Sequence, residues 1–362
     1  WLNLVVLFIV MGLSVCVLGY TIGNGDFFVY TMGKFPAPWG NEIRAGVLEG
    51  LMATFFCIIM ILSLLGGRKH FYEDVEESRH NLYFIMTNLL LSSLLAMVYT
   101  NDLFTAYVFV EINTIAACGL IMVIQNGRTI EAAIRYMIMS LLGSGLFLIG
   151  ICILYDLTGH LLMSNIQESV TALVANGEYQ IPLVMAIALL CVGLAIKSAL
   201  YPFHSWLPDA YGYSTISSAA MLSSLVSKGY IFLVIKIIYR VIGFDVFVDS
   251  KIINILFVFG VLGMIVGSLD AIRENDIMRM IAFSSVAQIG YIYMGFGLGS
   301  EAGMVASVFH IFSHAATKAL LFISAMGLRD ASGGSKAFID LTGAGRRNVI
   351  AGIGFTIGGL SM

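Results

Sequence analysis

Charge is scarce in this 362-residue chain: Asp, Glu, Lys and Arg make up 11% of it, against about 25% in a typical soluble domain. That excludes a solvated globular surface. No basic tract occurs and the formal net charge is −3, which leaves nothing to attract nucleic acid. The five cysteines, Cys16, Cys57, Cys118, Cys152 and Cys191, stand singly in apolar runs with no CxxC spacing. This excludes a disulfide framework and a cysteine metal site, and reads instead as small core or lipid-facing residues. The opening segment lacks a basic n-region and a small-residue cleavage site, so it is not a signal peptide.

What remains is apolar: 59% hydrophobic residues and a mean hydropathy of +0.92. A spanning helix needs about 20 such residues. Candidate spans cover residues 1–21, 47–66, 82–100, 102–125, 132–155, 182–200, 217–240, 252–272, 278–299, 302–328 and 347–362, about eleven in all. They are hydrophobic all round, without the two-residue alternation of a membrane β-barrel. Their linkers are too short to clothe a soluble helical core. The fold class predicted is an all-α polytopic membrane protein. The chain opens at Trp1 and closes at Met362 inside apolar stretches, so both ends read as internal to a longer protein.

Orientation follows the lysines and arginines. With the 66–80 loop inside, Arg68, Lys69, Arg79, Arg128, Arg135, Arg273, Arg279, Arg329, Lys336, Arg346 and Arg347 fall inside as well. Lys34, Arg44, Lys236, Arg240 and Lys251 fall outside, and the loop from Asp156 to Gln180 carries neither Lys nor Arg. Of nineteen basic residues this leaves Lys197, Lys228 and Lys318 within spans. Each charge at mid-helix costs about 2.5–3.5 kcal/mol. With Glu111 the sum is on the order of 10 kcal/mol, as large as a fold's net stability. Such groups face protein, water and one another, and mark an ion or proton path.

Glu111 stands about nine residues into its helix, roughly 14 Å of rise and close to mid-bilayer. A plain ion pair holding two helices together is the rival explanation. Lys197 lies in GLAIKSALYPFHSWLPDAYGYS, where Pro202 and Pro208 prevent an unbroken helix. A break at membrane depth frees carbonyls that line a cavity, and His204 and Asp209 beside it suggest a hydrated half-channel. The alternative is a helix that ends at the surface with Lys197 snorkelling. Lys228 sits among Ser224, Ser227, Gly229 and Tyr230, a polar setting unsuited to lipid.

His310, His314 and Lys318 recur every four residues and line one helix face. The HxxxH spacing also suits metal or haem, but no nearby carboxylate or cysteine completes a site, so no metal or cofactor is expected. Imidazoles titrate near neutrality and suit a proton relay; a structural bond to a backbone carbonyl is the plainer role. Asp276 and Asp102 are expected to cap the helices that follow them. Asp270, near an inner helix end, is a surface charge or an inlet carboxylate, and Glu49 is expected at the outer interface.

FVEINTIAACGLI around Glu111, KSALYPFHSWLPDAY from Lys197 to Tyr211, SLVSKGYIFLVIK around Lys228, NDIMRMIAFSSVAQIGYI and VFHIFSHAATKALLF together resemble a known family. It comprises the antiporter-like membrane subunits of respiratory complex I (NADH:quinone oxidoreductase), Mrp-type Na+/H+ antiporters and membrane-bound hydrogenases. KFPAPWGNEI looks most like the Mrp large subunits and their hydrogenase relatives, with the Mrp D-type polypeptide the nearest in character. The resemblance implies a roughly fourteen-helix fold with inverted five-helix repeats and broken helices. It implies flanking helices over 1–80 and a proton-conducting antiporter-like domain over 81–362, stopping within the second broken helix and before an exit half-channel. A chain so cut would not pump alone.

By the same resemblance Glu111 and Lys197 are the key pair, and Lys228 is the connecting lysine. His310, His314 and Lys318 lead onward, with His204, Asp209 and Asp270 as inlet or accessory groups. Two departures stand out: EINTIAACG replaces a bulkier sequence after the glutamate, and the helix near Val47 lacks an aspartate common at its start. The expected partners are other membrane subunits of a Mrp, complex I-like or hydrogenase complex, and the lipid bilayer of a prokaryotic plasma membrane. Protons are the expected cargo, with Na+ a candidate second ion. No redox chemistry of its own is expected. The rivals are a quinone- or haem-binding redox subunit and a non-conducting scaffold.

Overall fold

The computed structural model describes residues 2–35 and 40–362. Trp1 and residues 36–39, the middle of KFPAPWGNEI, lie outside the described residues.

Among the described residues, ten helices are long and apolar enough to cross a membrane. α1 (Leu2–Asn24) leans on α2 (Val47–Asp74) and otherwise shows its apolar flanks outward. Then come α3 (His80–Tyr99), α4 (Leu103–Ile121) and the long α5 (Gly127–Thr158). After the amphipathic α6 (Met163–Asn176) follows α7 (Gln180–Lys197), and then the short α8 (Leu207–Tyr213). Next is a continuous span over Ile216–Ile242, made of α9 (Ile216–Met221), a π turn over Leu222–Val226, α10 (Ser227–Ile237) and a second π turn over Ile238–Ile242. Its apolar stretch is wholly enclosed by the other helices, so it forms the axis of the bundle. The short α11 (Phe244–Asp249) leads to α12 (Ile252–Arg273), α13 (Ile277–Gly297) and α14 (Glu301–Ala331).

After the four-residue α15 (Ala344–Arg347) comes α16 (Val349–Leu360), the last apolar helix of the sequence. It lies against α14.

One end of the bundle is stitched by backbone. An antiparallel hairpin pairs β1 (Phe28–Thr31) with β2 (Glu42–Ala45), in register Phe28 to Ala45. The sequence reading did not foresee it, although FVYT is wholly β-branched and aromatic, which suits a strand. The Asn101 N–H donates to Glu42 O at 2.8 Å, and its amide donates to the Glu42 carboxylate at 2.7 Å. The Leu103 N–H then reaches Leu161 O, and the Met163 N–H reaches Asn101 O. This ties α6 and the hairpin to the α3–α4 corner. Asp102 caps α4 through the Thr105 N–H, and Asp276 caps α13 through Met278 and Arg279, as expected.

Helices come closest where side chains vanish, as in other membrane bundles. A Cβ on Gly193 of α7 would stand 2.6 Å from the Gly143 carbonyl of α5, and one on Gly143 would stand 3.2 Å from Lys197 Cγ. A Cβ on Gly290 of α13 would likewise meet the Gly260 carbonyl of α12 at 2.6 Å. Of the free cysteines, Cys57, Cys118 and Cys191 are buried, while Cys16 and Cys152 face outward.

Two charges expected on the outer side are buried at the hairpin end of the bundle. Lys236 is 3% exposed within α10. Its ammonium donates to the carbonyls of Val98 (2.8 Å), Met97 (3.5 Å) and Thr100, which end α3. Glu49 lies at the same end. It is 2% exposed and paired to Arg240 at 2.6 Å. In both cases a partner on a distant helix makes burial tolerable.

Candidate functional site

α7 ends at Lys197, and the chain turns through Ser198 to Trp206 before α8 restarts with Pro208 in its first turn. Ala199 takes φ +62°, a left-handed conformation costly for a residue with a Cβ, so the surroundings hold this sharp turn in place. Lys197 is completely enclosed and does not snorkel. It points at α4, where its ammonium lies 3.4 Å from Glu111 Oε1 and donates to Thr114 Oγ1 at 2.7 Å. The Tyr230 ring lies 5.6 Å away. Ser144 of α5 donates to the same Glu111 oxygen. Lys197 therefore has two acceptors one helical turn apart, one anionic and one neutral.

From Thr114 the polar contacts continue inward. The Tyr230 hydroxyl lies 3.5 Å from Thr114 Oγ1 and donates to Asn113 Oδ1 at 3.1 Å. The Asn113 amide donates to Ser93 Oγ at 3.0 Å. Tyr230 belongs to the central helix, two residues beyond Lys228.

Lys228 is also fully buried. Its ammonium donates to the Ser223 carbonyl at 2.6 Å, five residues back on its own helix. The π turn over Leu222–Val226 bears that carbonyl; such bulges occur mostly at functional sites. Ser223 Oγ and Ser224 Oγ are buried without a protein partner. Among the described residues no carboxylate forms an ion pair with Lys228 or Lys318.

On α14, His310 and His314 stack with ring centres 6.0 Å apart and planes inclined by 20°. Both lie within electrostatic reach of Lys228. His314 Nδ1 and Nε2, and His310 Nε2, are buried without a protein partner. Such an atom costs about 1–3 kcal/mol unless water meets it, so this face suits hydration. Lys318 is enclosed and turns to α13, donating to Ile281 O at 2.8 Å and to Ser284 Oγ at 2.6 Å.

The accessory residues separate. His204 stacks on Tyr201 at 5.5 Å and lies within electrostatic reach of Asp270. Asp209 is bound by Arg135 at 2.9 Å and by Arg279, which in turn hold Glu131 and Glu274. This clamp joins α5, α8 and α13 at the end opposite the hairpin, away from Lys197. The sequence reading passed over Ser144 and Thr114, which carry no charge to mark them, and named Tyr230 only as a neighbour of Lys228.

Buried ammonium groups on three helices, one broken helix and a π-bulged axis define a multi-pass membrane protein built around an internal polar path. Residues 100–362 match the family described as NADH:quinone oxidoreductase/Mrp antiporter, TM, and the chain belongs to that family. It is 30% identical over 345 residues to NADH-quinone oxidoreductase subunit N of Desulforudis audaxviator (strain MP104C), covering 95% of this chain and 67% of that protein. It is 26% identical over 309 residues to the D-type polypeptide of the Na(+)/H(+) antiporter of Alkalihalophilus pseudofirmus (strain ATCC BAA-2126 / JCM 17055 / OF4), covering 85% of this chain and 60% of that protein. Among solved structures, a chain of the membrane-bound sulfane sulfur reductase, an archaeal respiratory membrane complex, superposes with a TM-score of 0.88 at 26% identity. That match covers 99% of this chain and 71% of the other. The chain thus spans about three-fifths to two-thirds of the curated relatives' lengths.

Proposed function

We propose that the chain translocates protons as one membrane subunit of a larger complex of the Mrp, complex I or related respiratory type. The relay runs from Glu111 and Lys197, past Thr114 and Tyr230, to Lys228, the His310–His314 stack and Lys318. One observation carries the reading: Lys197 is shared between an anionic and a neutral acceptor, at 3.4 Å and 2.7 Å. A charged ammonium favours the carboxylate, whereas a lysine that has passed its proton on needs no anion. Small changes at Glu111 therefore bias where the proton rests. Lys228 and Lys318 donate to neutral oxygens, which lets each give up a proton without leaving a carboxylate unpaired. His204, beside the break and within electrostatic reach of Asp270, suits an inlet. Asp209 is assigned to the clamp.

The conducting part is placed over 81–362, with the helices of 1–80 flanking it. The pairing of these groups requires no cofactor. The test is proton translocation by the intact complex carrying Glu111→Gln or Lys197→Ala. Loss of translocation with normal assembly is expected; full pumping by either variant refutes the relay.

A further inference from the structure

The Glu49–Arg240 pair stands outside the relay and separates two hollows at the hairpin end. On one side a crevice of about 600 Å³ opens between α2 and α14, with the central helix as its floor. Leu51, Ile235, Val305, Val308, Phe309 and Phe312 wall it. On the other side a polar vestibule of about 440 Å³ is lined by Asp26, Phe27, Arg44, Glu49 and Arg240. An apolar slot that adjoins a charged vestibule at a membrane surface matches an amphiphile: chain in the slot, headgroup in the vestibule.

The charged groups say which amphiphile. Arg240 gives one nitrogen to Glu49, while its Nη1 is buried without a protein partner. Arg44 lies over the Phe27 ring at 3.8 Å, and its Nε is likewise buried and without a partner. The Lys236 ammonium, at the floor, adds positive potential while its donors serve the end of α3. Arg44, Lys236 and Arg240 outnumber Glu49 and Asp26. Glu301 is exposed at the rim near Tyr239, where water and salt screen it. Two guanidinium groups with open donors and a single buried carboxylate between them call for an oxyanion, which arginine binds in preference to other groups.

We infer that this crevice and vestibule bind one anionic phospholipid of the hairpin-side leaflet, its phosphodiester on Arg44 and Arg240 and an acyl chain along α14. The site rests on none of the relay residues. The probe is the full-length protein carrying Phe312→Trp, a half-buried aromatic position in the crevice wall, in nanodiscs of dioleoyl lipids. Quenching of the added tryptophan is compared for brominated phosphatidylglycerol and brominated phosphatidylcholine, with the unsubstituted protein as background. The expected result is a preference for phosphatidylglycerol of at least about threefold. Adding Glu49→Gln, which removes the competing carboxylate, is expected to raise it. Glu49→Gln with Arg240→Gln, a neutral pair of matching shape, is expected to bring it close to one. Arg44→Gln, a milder change, is expected to lower it if the double variant fails to fold. Equal quenching by both lipids overturns the inference in favour of ordinary boundary lipid. No quenching by either overturns it in favour of a protein segment filling the crevice.

Discussion

Replacing Glu111 by Gln removes a charge 3.4 Å from the Lys197 ammonium while keeping shape and hydrogen-bonding capacity. At an effective dielectric constant of about 20, unit charges at that separation interact by about 5 kcal/mol. That is the scale of the contribution by which Glu111 holds a proton on Lys197. Without it Thr114 remains the acceptor, and the enclosed ammonium faces the full cost of burial. Glu111→Asp keeps the charge but retracts it; a separation near 5 Å leaves about 3 kcal/mol by the same arithmetic. The assay is the initial rate of proton uptake, read by a pH-sensitive dye, in vesicles containing the intact complex. Glu111→Gln is expected to lose at least about tenfold in rate, and Glu111→Asp to fall between it and the parent. Assembly is checked by native gel. Unchanged pumping by Glu111→Gln refutes the electrostatic argument. So does a Glu111→Asp variant as inactive as Glu111→Gln, since the ordering follows from distance alone.

Further outcomes follow from the packing. Gly193→Leu is expected to lower thermal stability by about 1–3 kcal/mol, because its Cβ alone meets the Gly143 carbonyl at 2.6 Å; an unchanged melting profile refutes the close approach of α5 and α7. Lys236→Met leaves the last carbonyls of α3 without their charged donor and is expected to cost about 2–3 kcal/mol, read as a lowered Tm in detergent; no shift refutes the capping role. Asp209→Asn is expected to cost about 1 kcal/mol by weakening the arginine clamp while leaving the proton uptake rate close to the parent's; a pumping defect at normal stability returns Asp209 to the proton path.

Much of the fold is legible because the bilayer is an undemanding reader: about 20 apolar residues with breaks between them are enough to find a spanning helix. That rule located ten long helices. It passed over α6 and the hairpin, whose pairing depends on Asn101 and Leu161 across the chain. The charges divide in the same way. Lys197, Lys228 and Lys318 announce themselves because an ammonium inside an apolar run is costly wherever its partner lies. Lys236 and Glu49 sit near span ends, where a charge is cheap if it faces water, so sequence position left their burial undecided.

The sequence by itself determined that the chain lies in a membrane, that one helix is broken near Pro202, and which residue types stand at membrane depth. Those properties follow from local transfer free energy and backbone chemistry, which need no neighbour. Only the tertiary structure decided which groups meet. Glu111 and Lys197 are 86 positions apart in number yet share one contact, because Gly143 and Gly193 let α5 and α7 approach and turn Lys197 toward α4. Asp209, close to Lys197 in sequence, was drawn instead to Arg135 and Arg279, because α8 resumes beyond the break and carries it to the end opposite the hairpin.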